Sequence, residues 1–536
     1  MKASTVAIFT RIHTWTGLAA GMALFIAFYA GAMTVFFHEL EVWDEYSAVA
    51  PLEQDYVQAQ ELVDQVLEVD PAAAETFRLY PSSPDHPGNV VRWFERGEDG
   101  TFDTHEYRMA PNGTLNAEAD NAHLASFIYV LHYSAGLPAR LGLYALGIVC
   151  MIYGLALLSG IIVFLPNFLK DLFVIRDGER NKKRFWLDTH NVVGVISLPW
   201  HFMFAWSSVI LAIGIFFLAP FQYLVFDDDL IEMFGAELGV VEAAEPSGER
   251  APMIDVAEIM HIAQREIPGF EASQLRYSHA GDSNGQIRVF GKVEDGSLSS
   301  NANITMATLD GRVINVSTPQ SASLATTFYN GLIALHFVTF GGYTAKWVYF
   351  FLGLAGAFLF YSGNLLWVEA RRKRRSPEQP KTGRFLARLN SGVCIGCMAG
   401  ISAAFLMSRG MSEHANRADL TELAYYAVFF AAIAWSYLRS VADGARDLLY
   451  LCAALTAAIP VFDAVIIDMP VWRSIPAGEW AIFTVDCLAI FGAVAFWMMG
   501  RAVAVRARTG APNSVWSNPK PDPAVGLDVG IGSTTR

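Results

Sequence analysis

The sequence predicts an all-α polytopic membrane bundle of about eight transmembrane helices, with two small α+β domains outside the membrane set in an internal repeat. Three observations predict it. More than half of the 536 residues are hydrophobic, which is the composition of a membrane protein. Apolar runs near the roughly 20 residues a span needs recur along the chain. Two long polar loops of similar make-up interrupt these runs at matching places.

Four runs occupy the first 370 residues, at about 15–37, 141–165, 192–218 and 343–368, and four more lie at about 392–408, 423–438, 447–467 and 480–500. The run from Trp15 to Phe37 is too long for a signal-peptide core and no small-x-small site follows it, so it is expected to stay as a membrane helix. Cations crowd the short loops. Lys170, Arg176, Arg180, Lys182, Lys183 and Arg184 lie between spans two and three, Arg371 to Arg375 follow span four, and Arg501, Arg506 and Arg508 follow span eight. The positive-inside rule makes these loops and both termini cytoplasmic.

The long loops, about 38–125 and 219–325, then lie outside. Both are acidic, with a cluster at Asp227, Asp228 and Asp229, and they carry most of the net charge of −14. That balance disfavours nucleic acid and suits a cationic or iron-bearing ligand. The five cysteines, Cys150, Cys394, Cys397, Cys452 and Cys487, all fall in apolar spans. Cys394-Ile-Gly-Cys397 has redox spacing but sits inside a predicted helix, where free cysteine packs as a small hydrophobe. There is no C-x-x-C-H for covalent haem attachment.

Each outer loop has the same order of elements. Residues 55–68 and 254–266 have helical periodicity. Strand-like runs follow at Thr76–Tyr80, Val90–Glu95 and His105–Met109 in the first loop, and at Gln274–Ser278, Gln286–Val293 and Asn303–Leu309 in the second. Pro111-Asn112-Gly113 and Asp310-Gly311 then read as hairpin turns before a short last strand. An amphipathic piece comes next, at 124–135 and 323–338, broken by Gly136 and Pro138 in one half and by Gly341-Gly342 in the other. Each reads as a short interfacial helix leading into the membrane. The expected organisation is a first span (1–37), an outer domain (38–122), an interfacial helix with spans two and three (123–218), a second outer domain (219–320), an interfacial helix with span four (321–370), a basic loop (371–390), four C-terminal spans (391–500) and a tail (501–536). The tail is Pro- and Gly-rich beyond about 509 and reads as disordered.

The repeat places histidines in pairs. His13 in R-I-H-T-W-T-G matches His190 in D-T-H-N-V-V-G, near the cytoplasmic ends. His132 in V-L-H-Y-S-A-G matches His336 in A-L-H-F-V-T-F-G-G, near the outer face. Polar groups at such depth are costly and mark function, although they also serve as hydrogen-bonding glue between helices. A bare metal site wants three or more ligands, often with carboxylates. Here the spans offer almost only imidazole, two per level, with Asp188 and Glu39 as the nearby acids. That pattern predicts two b-type haems, each held by two histidines, with no open iron position and therefore an electron-transfer role.

His201 complicates the pairing. It follows His190 by eleven residues, so on one unbroken helix it would share that face about 16 Å deeper. Pro199 suggests a kink, and Leu24 stands at the matching place of the first half. His201 ranks as a fifth candidate ligand, and His38, at the end of span one, reads as an interfacial residue. Arg140 and Lys346 after the outer histidines, and Arg11, Lys183 and Arg184 near the inner ones, are candidate cations for haem propionates; ordinary snorkelling explains them equally well. Trp15, Trp186, Tyr133 and Trp347 are candidate haem-edge aromatics or belt residues. His86, His105, His123, His261, His279 and His414 read as surface residues.

These motifs, R-I-H-T-W-T-G-L, V-F-F-H-E-L-E, V-L-H-Y-S-A-G-L, D-T-H-N-V-V-G-V-I-S-L-P-W-H-F and L-H-F-V-T-F-G-G, resemble in order the PepSY-associated transmembrane family, the iron-regulated membrane proteins that include ferric-siderophore reductases. The resemblance covers about residues 5–370, and the outer domains resemble PepSY domains. It implies reduction of ferric iron, in a siderophore or iron chelate, on the periplasmic side of a bacterial inner membrane. No G-x-G-x-x-G after a strand and no P-loop is present, and the cytoplasmic loops are too short for a flavin or nicotinamide domain. Electrons would come from a quinol or from a separate cytoplasmic reductase. Two other readings remain open: a non-enzymatic PepSY binding or regulatory protein, and a transporter component, for which Asp463, Asp468 and Asp486 are the few acids in the last four spans.

Overall fold

The computed structural model describes residues 2–45, 56–82, 88–96, 102–109, 115–117, 123–176, 182–225, 243–294, 296–373, 379–412, 414, 416–511 and 513–518. The Asp227–Asp229 cluster, Arg180, His86, the Asn112-Gly113 turn and most of the tail lie outside them.

The elements of the first half are α1 (Ala3–Thr34), α2 (Phe37–Asp44), α3 (Tyr56–Val69), β1 (Thr76–Tyr80), β2 (Val90–Arg96), β3 (Phe102–Met109), β4 (Leu115–Ala117), α4 (His123–Ser134) and α5 (Ala139–Phe164). The second half repeats them as α6 (Lys182–Ile196), α7 (Leu198–Leu224), α8 (Val256–Glu266), β5 (Phe270–Ser278), β6 (Gln286–Val293), β7 (Asn301–Ala307), β8 (Val313–Ser317), α9 (Leu324–Phe337) and α10 (Gly342–Ala370). Then come α11 (Lys381–Gly410), α12 (Arg417–Leu438), α13 (Val441–Ile466), α14 (Val471–Ala477) and α15 (Trp480–Thr509). Residues Gly136 and Gly341 take the left-handed backbone (φ 83° and 69°). Few side chains tolerate that conformation, and it sets the breaks before α5 and α10.

Among the described residues, seven helices are long and apolar enough to cross a membrane: α1, the run from Ala139 to Asp171, α7, α10, α11, α13 and α15. The expected eighth, α12, is a helix of 22 residues. Glu422 and its four polar-edged aromatics, Tyr425, Tyr426, Trp435 and Tyr437, keep it less apolar than the rest. The chain divides into two compact units: Met1–Thr34, Ser126–Ala205 and Phe351–Arg536 in the first, Val35–Ala125 and Trp206–Phe350 in the second.

In the first unit the C-terminal helices pack through small residues. Gly392, Gly396 and Gly400 recur every four positions on α11, and a methyl at any of them would meet α12 atoms of Ile433/Ser436, Ala432 and Tyr425 within 2.8–2.9 Å. Such a stripe lets two helix backbones approach closely where no hydrophobic effect drives them together. Cys394, Cys397 and Cys452 are fully buried free thiols in this packing.

The second unit holds the two long polar segments of the sequence. The sequence suggests two small domains; the structure joins them. One antiparallel sheet runs β4-β3-β2-β1-β5-β6-β7-β8. The seam is β1 against β5, with Phe77 opposite Tyr277 and Arg78 opposite Arg276. The rings of Phe77 and Tyr277 stack at 4.5 Å. Alternation does the rest. Phe77, Leu79, Val91, Leu275, Tyr277, Ile287, Val289 and Ile304 point to one face and bury against Leu62, Val63 and Val66 of α3 and Ile259, Met260 and Ala263 of α8. Two half-domains thus share one core.

Candidate functional site

The histidines sit on helix surfaces that face other helices, and their Nδ1 atoms are held. His13 on α1 donates from Nδ1 to the Ala156 carbonyl of α5 at 2.8 Å. A carbonyl can only accept, so Nδ1 carries the proton and Nε2 the lone pair. Gly160, one turn past Ala156, makes room: a Cβ there would lie 3.0 Å from the His13 ring. His132 on α4 repeats the arrangement on α1. Its Nδ1 donates to the Ala27 carbonyl at 2.7 Å, and a Cβ at Gly31, again one turn on, would lie 2.6 Å from that nitrogen.

His190 on α6 is the third instance. Its Nδ1 lies 3.0 Å from Ser362 Oγ on α10, and that hydroxyl donates to the Leu359 carbonyl, so it accepts from the imidazole. The Leu359 carbonyl is also an acceptor for the ring. Gly363, one turn past Leu359, sits 3.5 Å (as a Cβ) from the ring. The seat of His13 on α5 is therefore repeated as the seat of His190 on α10. A histidine that ligates a metal usually donates its other ring N–H to a carbonyl or similar acceptor, which fixes tautomer and orientation.

His201 on α7 differs. Tyr153 of α5 holds its Nδ1. Its Nε2 is buried and has no hydrogen-bond partner among the described residues. Phe28 and Phe360 wall the ring at centroid distances of 5.5 and 6.3 Å. A buried imidazole nitrogen without a hydrogen-bond partner is costly. The expected kink before His201 is a one-residue interruption at Ser197 between α6 and α7, across which Ser197 N still donates to the Val193 carbonyl and His201 N to the Ser197 carbonyl. His190 lies within electrostatic reach of both His13 and His201.

Of the outer pair, His132 belongs to the first unit and His336 to the second. His336 Nδ1 lies 2.7 Å from Ser207 Oγ of α7. His38 pairs with Glu41 at the surface, as expected of an interfacial residue.

The candidate cations divide. Arg11 and Arg140 are exposed. Lys346 is engaged by Glu39 Oε1 at 2.6 Å. Arg184 and Arg176 both pair with Asp171 and with the buried Asp188. Asp188 is thereby committed to two guanidiniums and removed as a metal ligand for its neighbour His190. Trp186 stacks on Phe358 at 6.0 Å, and Trp15 meets Trp367 edge-on at 6.2 Å. Among the described residues, no group of three or more His, Cys, Asp or Glu side chains converges to hold a metal ion.

The pattern of the PepSY-associated TM region matches residues 10–370. The chain belongs to the PepSY-associated transmembrane family. The match takes in both halves of the repeat and all five candidate ligands, and ends where α10 ends. An uncharacterised protein of Pseudomonas aeruginosa is 27% identical over 232 residues, which is 41% of this chain and 56% of that protein. The chain thus aligns with little more than half the length of this curated relative.

What sequence reasoning missed in this family member are the seats: Ala27/Gly31, Ala156/Gly160, Leu359/Gly363, Ser362, Ser207 and Tyr153. The glycines were legible, each four residues beyond its carbonyl. The carbonyls were not.

Proposed function

We propose that the chain is a di-haem b-type electron-transfer protein of a bacterial inner membrane, an oxidoreductase that reduces ferric iron or ferric siderophores on the periplasmic side for iron acquisition. Eight spans, with cytoplasmic termini and the sheet outside, are part of this reading. The observation that carries it is the repeated seat: three of four repeat-matched histidines give Nδ1 to an acceptor on a neighbouring helix, beside a glycine that admits the ring. That geometry holds each imidazole as the Nδ1–H tautomer, which leaves the Nε2 lone pair as the one that would ligate iron. Haem b, when bound, supplies one-electron redox chemistry. The residues that would hold it are His13 and His190 on the inner level, with His201 as a competing or additional ligand, and His132 and His336 on the outer.

The chain's own groups do the rest. The seats fix ligand orientation, the aromatic walls exclude water, and the exposed Arg11 and Arg140 are available to propionates. Electrons are supplied by a quinol or a separate cytoplasmic reductase. Reduction releases the metal because hard oxygen ligands hold iron(II) less tightly than iron(III). The test is a visible spectrum of protein purified from haem-replete cells. Sharp reduced α and β bands and two haems per chain are expected. Replacing His13 or His190 should remove one haem and replacing His132 or His336 the other. A colourless preparation refutes the reading.

One observation favours a second reading, a transporter component. Arg409 of α11 pairs with Asp463 of α13 at 2.6 Å, both buried, and the carboxyl group of Asp486 on α15 is buried beside Asp463. Buried charges in spans often line ion or proton paths. Proton uptake tracking substrate movement, in protein without haem, would decide for it.

A further inference from the structure

The sheet face opposite the shared core carries a row of arginines. The register places Arg92, Arg78, Arg276 and Arg288 directly opposite one another on β2, β1, β5 and β6, with Glu106 at one end and Thr305 at the other. Like charges facing each other across strands destabilise a sheet, and here four stand in line across the seam. Compensation reaches only the ends. Arg92 Nε donates to Glu106 at 2.9 Å, and Arg288 Nε donates to Thr305 Oγ1 at 3.1 Å.

The two central arginines have no ion pair among the described residues. Arg276 Nε is buried without a hydrogen-bond acceptor among the described residues. Burial first, and then the charge of Arg78, lowers its pKa. Aromatic rings support the row from within the same face. Arg78 lies 5.3 Å over Phe94, Arg92 lies 5.6 Å over Tyr80, and Arg276 and Arg288 lie 5.4 and 5.8 Å over Phe290. These contacts hold guanidiniums flat without neutralising them. In a chain whose net charge is −14, this is a concentrated cationic site with unused donors.

We infer that the arginine row is a docking site for an anionic, oxygen-rich iron chelate of the polycarboxylate or catecholate class, with Arg78 and Arg276 its central contacts. Guanidinium forks match carboxylate and paired-oxygen geometry bidentately. The inference deepens the reductase reading by naming its substrate class, and rests on that reading only for the fate of the iron. Its binding step is independent of haem.

The test uses the full-length protein in zwitterionic-lipid nanodiscs and gallium(III) citrate, a redox-inert probe, followed by calorimetry. Saturable binding that weakens with salt is expected, falling about tenfold for each of Arg78→Gln and Arg276→Gln. Thermal stability of these variants should hold or rise, because a like-charge contact is relieved. Arg78→Lys, which keeps charge but not the fork, should lose affinity without loss of fold. No binding overturns the inference. So does equal binding of a cationic gallium trihydroxamate, and so does a double variant that binds gallium citrate normally but no longer floats with phosphatidylglycerol vesicles, since the row would then serve lipid headgroups. Failure of the reductase reading looks different: a colourless protein that still binds gallium citrate.

Discussion

Adding one methyl group beside each imidazole tests the histidine seats in a graded way. At Gly31 a Cβ would lie 2.6 Å from His132 Nδ1 and 2.8 Å from Cε1. Non-bonded carbon contacts settle near 3.5–4.0 Å, so the ring must retreat by about 1 Å. The bond from Nδ1 to the Ala27 carbonyl, 2.7 Å long, then approaches the limit of a hydrogen bond. Overpacking costs about 1–3 kcal/mol, and the unmade buried bond costs about 1–3 kcal/mol more. Loss of such a supporting contact lowers metal affinity by about 10- to 100-fold. At Gly160 the contact is 3.0 Å, tight enough to shift His13 slightly. At Gly363 it is 3.5 Å, an ordinary approach. Haem content per chain, measured by pyridine haemochrome on Gly31→Ala, Gly160→Ala and Gly363→Ala, should therefore fall most for the first, partly for the second and hardly for the third. A reversed order, or three variants with full haem, would refute the seat argument.

Four further outcomes follow from the same structure. Tyr153→Phe leaves both nitrogens of His201 without a described partner; thermal stability should drop by about 1–3 kcal/mol, and a haem spectrum altered along with it would mark His201 as a ligand. Arg409→Met strands the buried Asp463 carboxylate and should cost about 3–5 kcal/mol, much of it recovered in Arg409→Met/Asp463→Leu; calorimetry of the pair of variants is the check. Phe77→Ala opens the seam of the sheet and should cost about 3–5 kcal/mol, read as a lowered unfolding midpoint. Asp282 accepts from the backbone N–H groups of Asn284, Ser247 and Gly248, which hold its pKa at about 2. The lowered folded pKa means its contribution is present above the unfolded carboxylate value near 3.9 and is lost as pH falls towards 2. Hydrogen exchange at Ser247 and Gly248 should quicken over that window and should be fast at all pH values in Asp282→Asn.

Legibility followed the range of the interaction. Helices and strands were readable because periodicity is local: Thr76–Tyr80 and Gln286–Val293 fall where alternation placed them. The joined sheet was not, because alternation tells which face of β1 is buried and nothing about its partner, β5, nearly two hundred residues on. Histidine positions were plain from the repeat. Their acceptors were not, since a backbone carbonyl leaves no mark in the sequence. The kink that Pro199 suggested lies at Ser197, the single residue between α6 and α7. The α12 span was recognised as a helix, while its aromatics and Glu422 leave it short of the hydropathy of its neighbours.

The seam between β1 and β5 also constrains how the protein is made. After β4 is synthesised, the chain passes through α5 and α7, two helices long and apolar enough to cross a membrane, before β5 is made. Until then β1 is an open edge, with unpaired donors and acceptors that can template pairing with other chains. Completion of the sheet therefore waits on the apolar middle of the chain. Delay at α5 or α7 would leave half a sheet waiting, and a bystander strand could fill the gap.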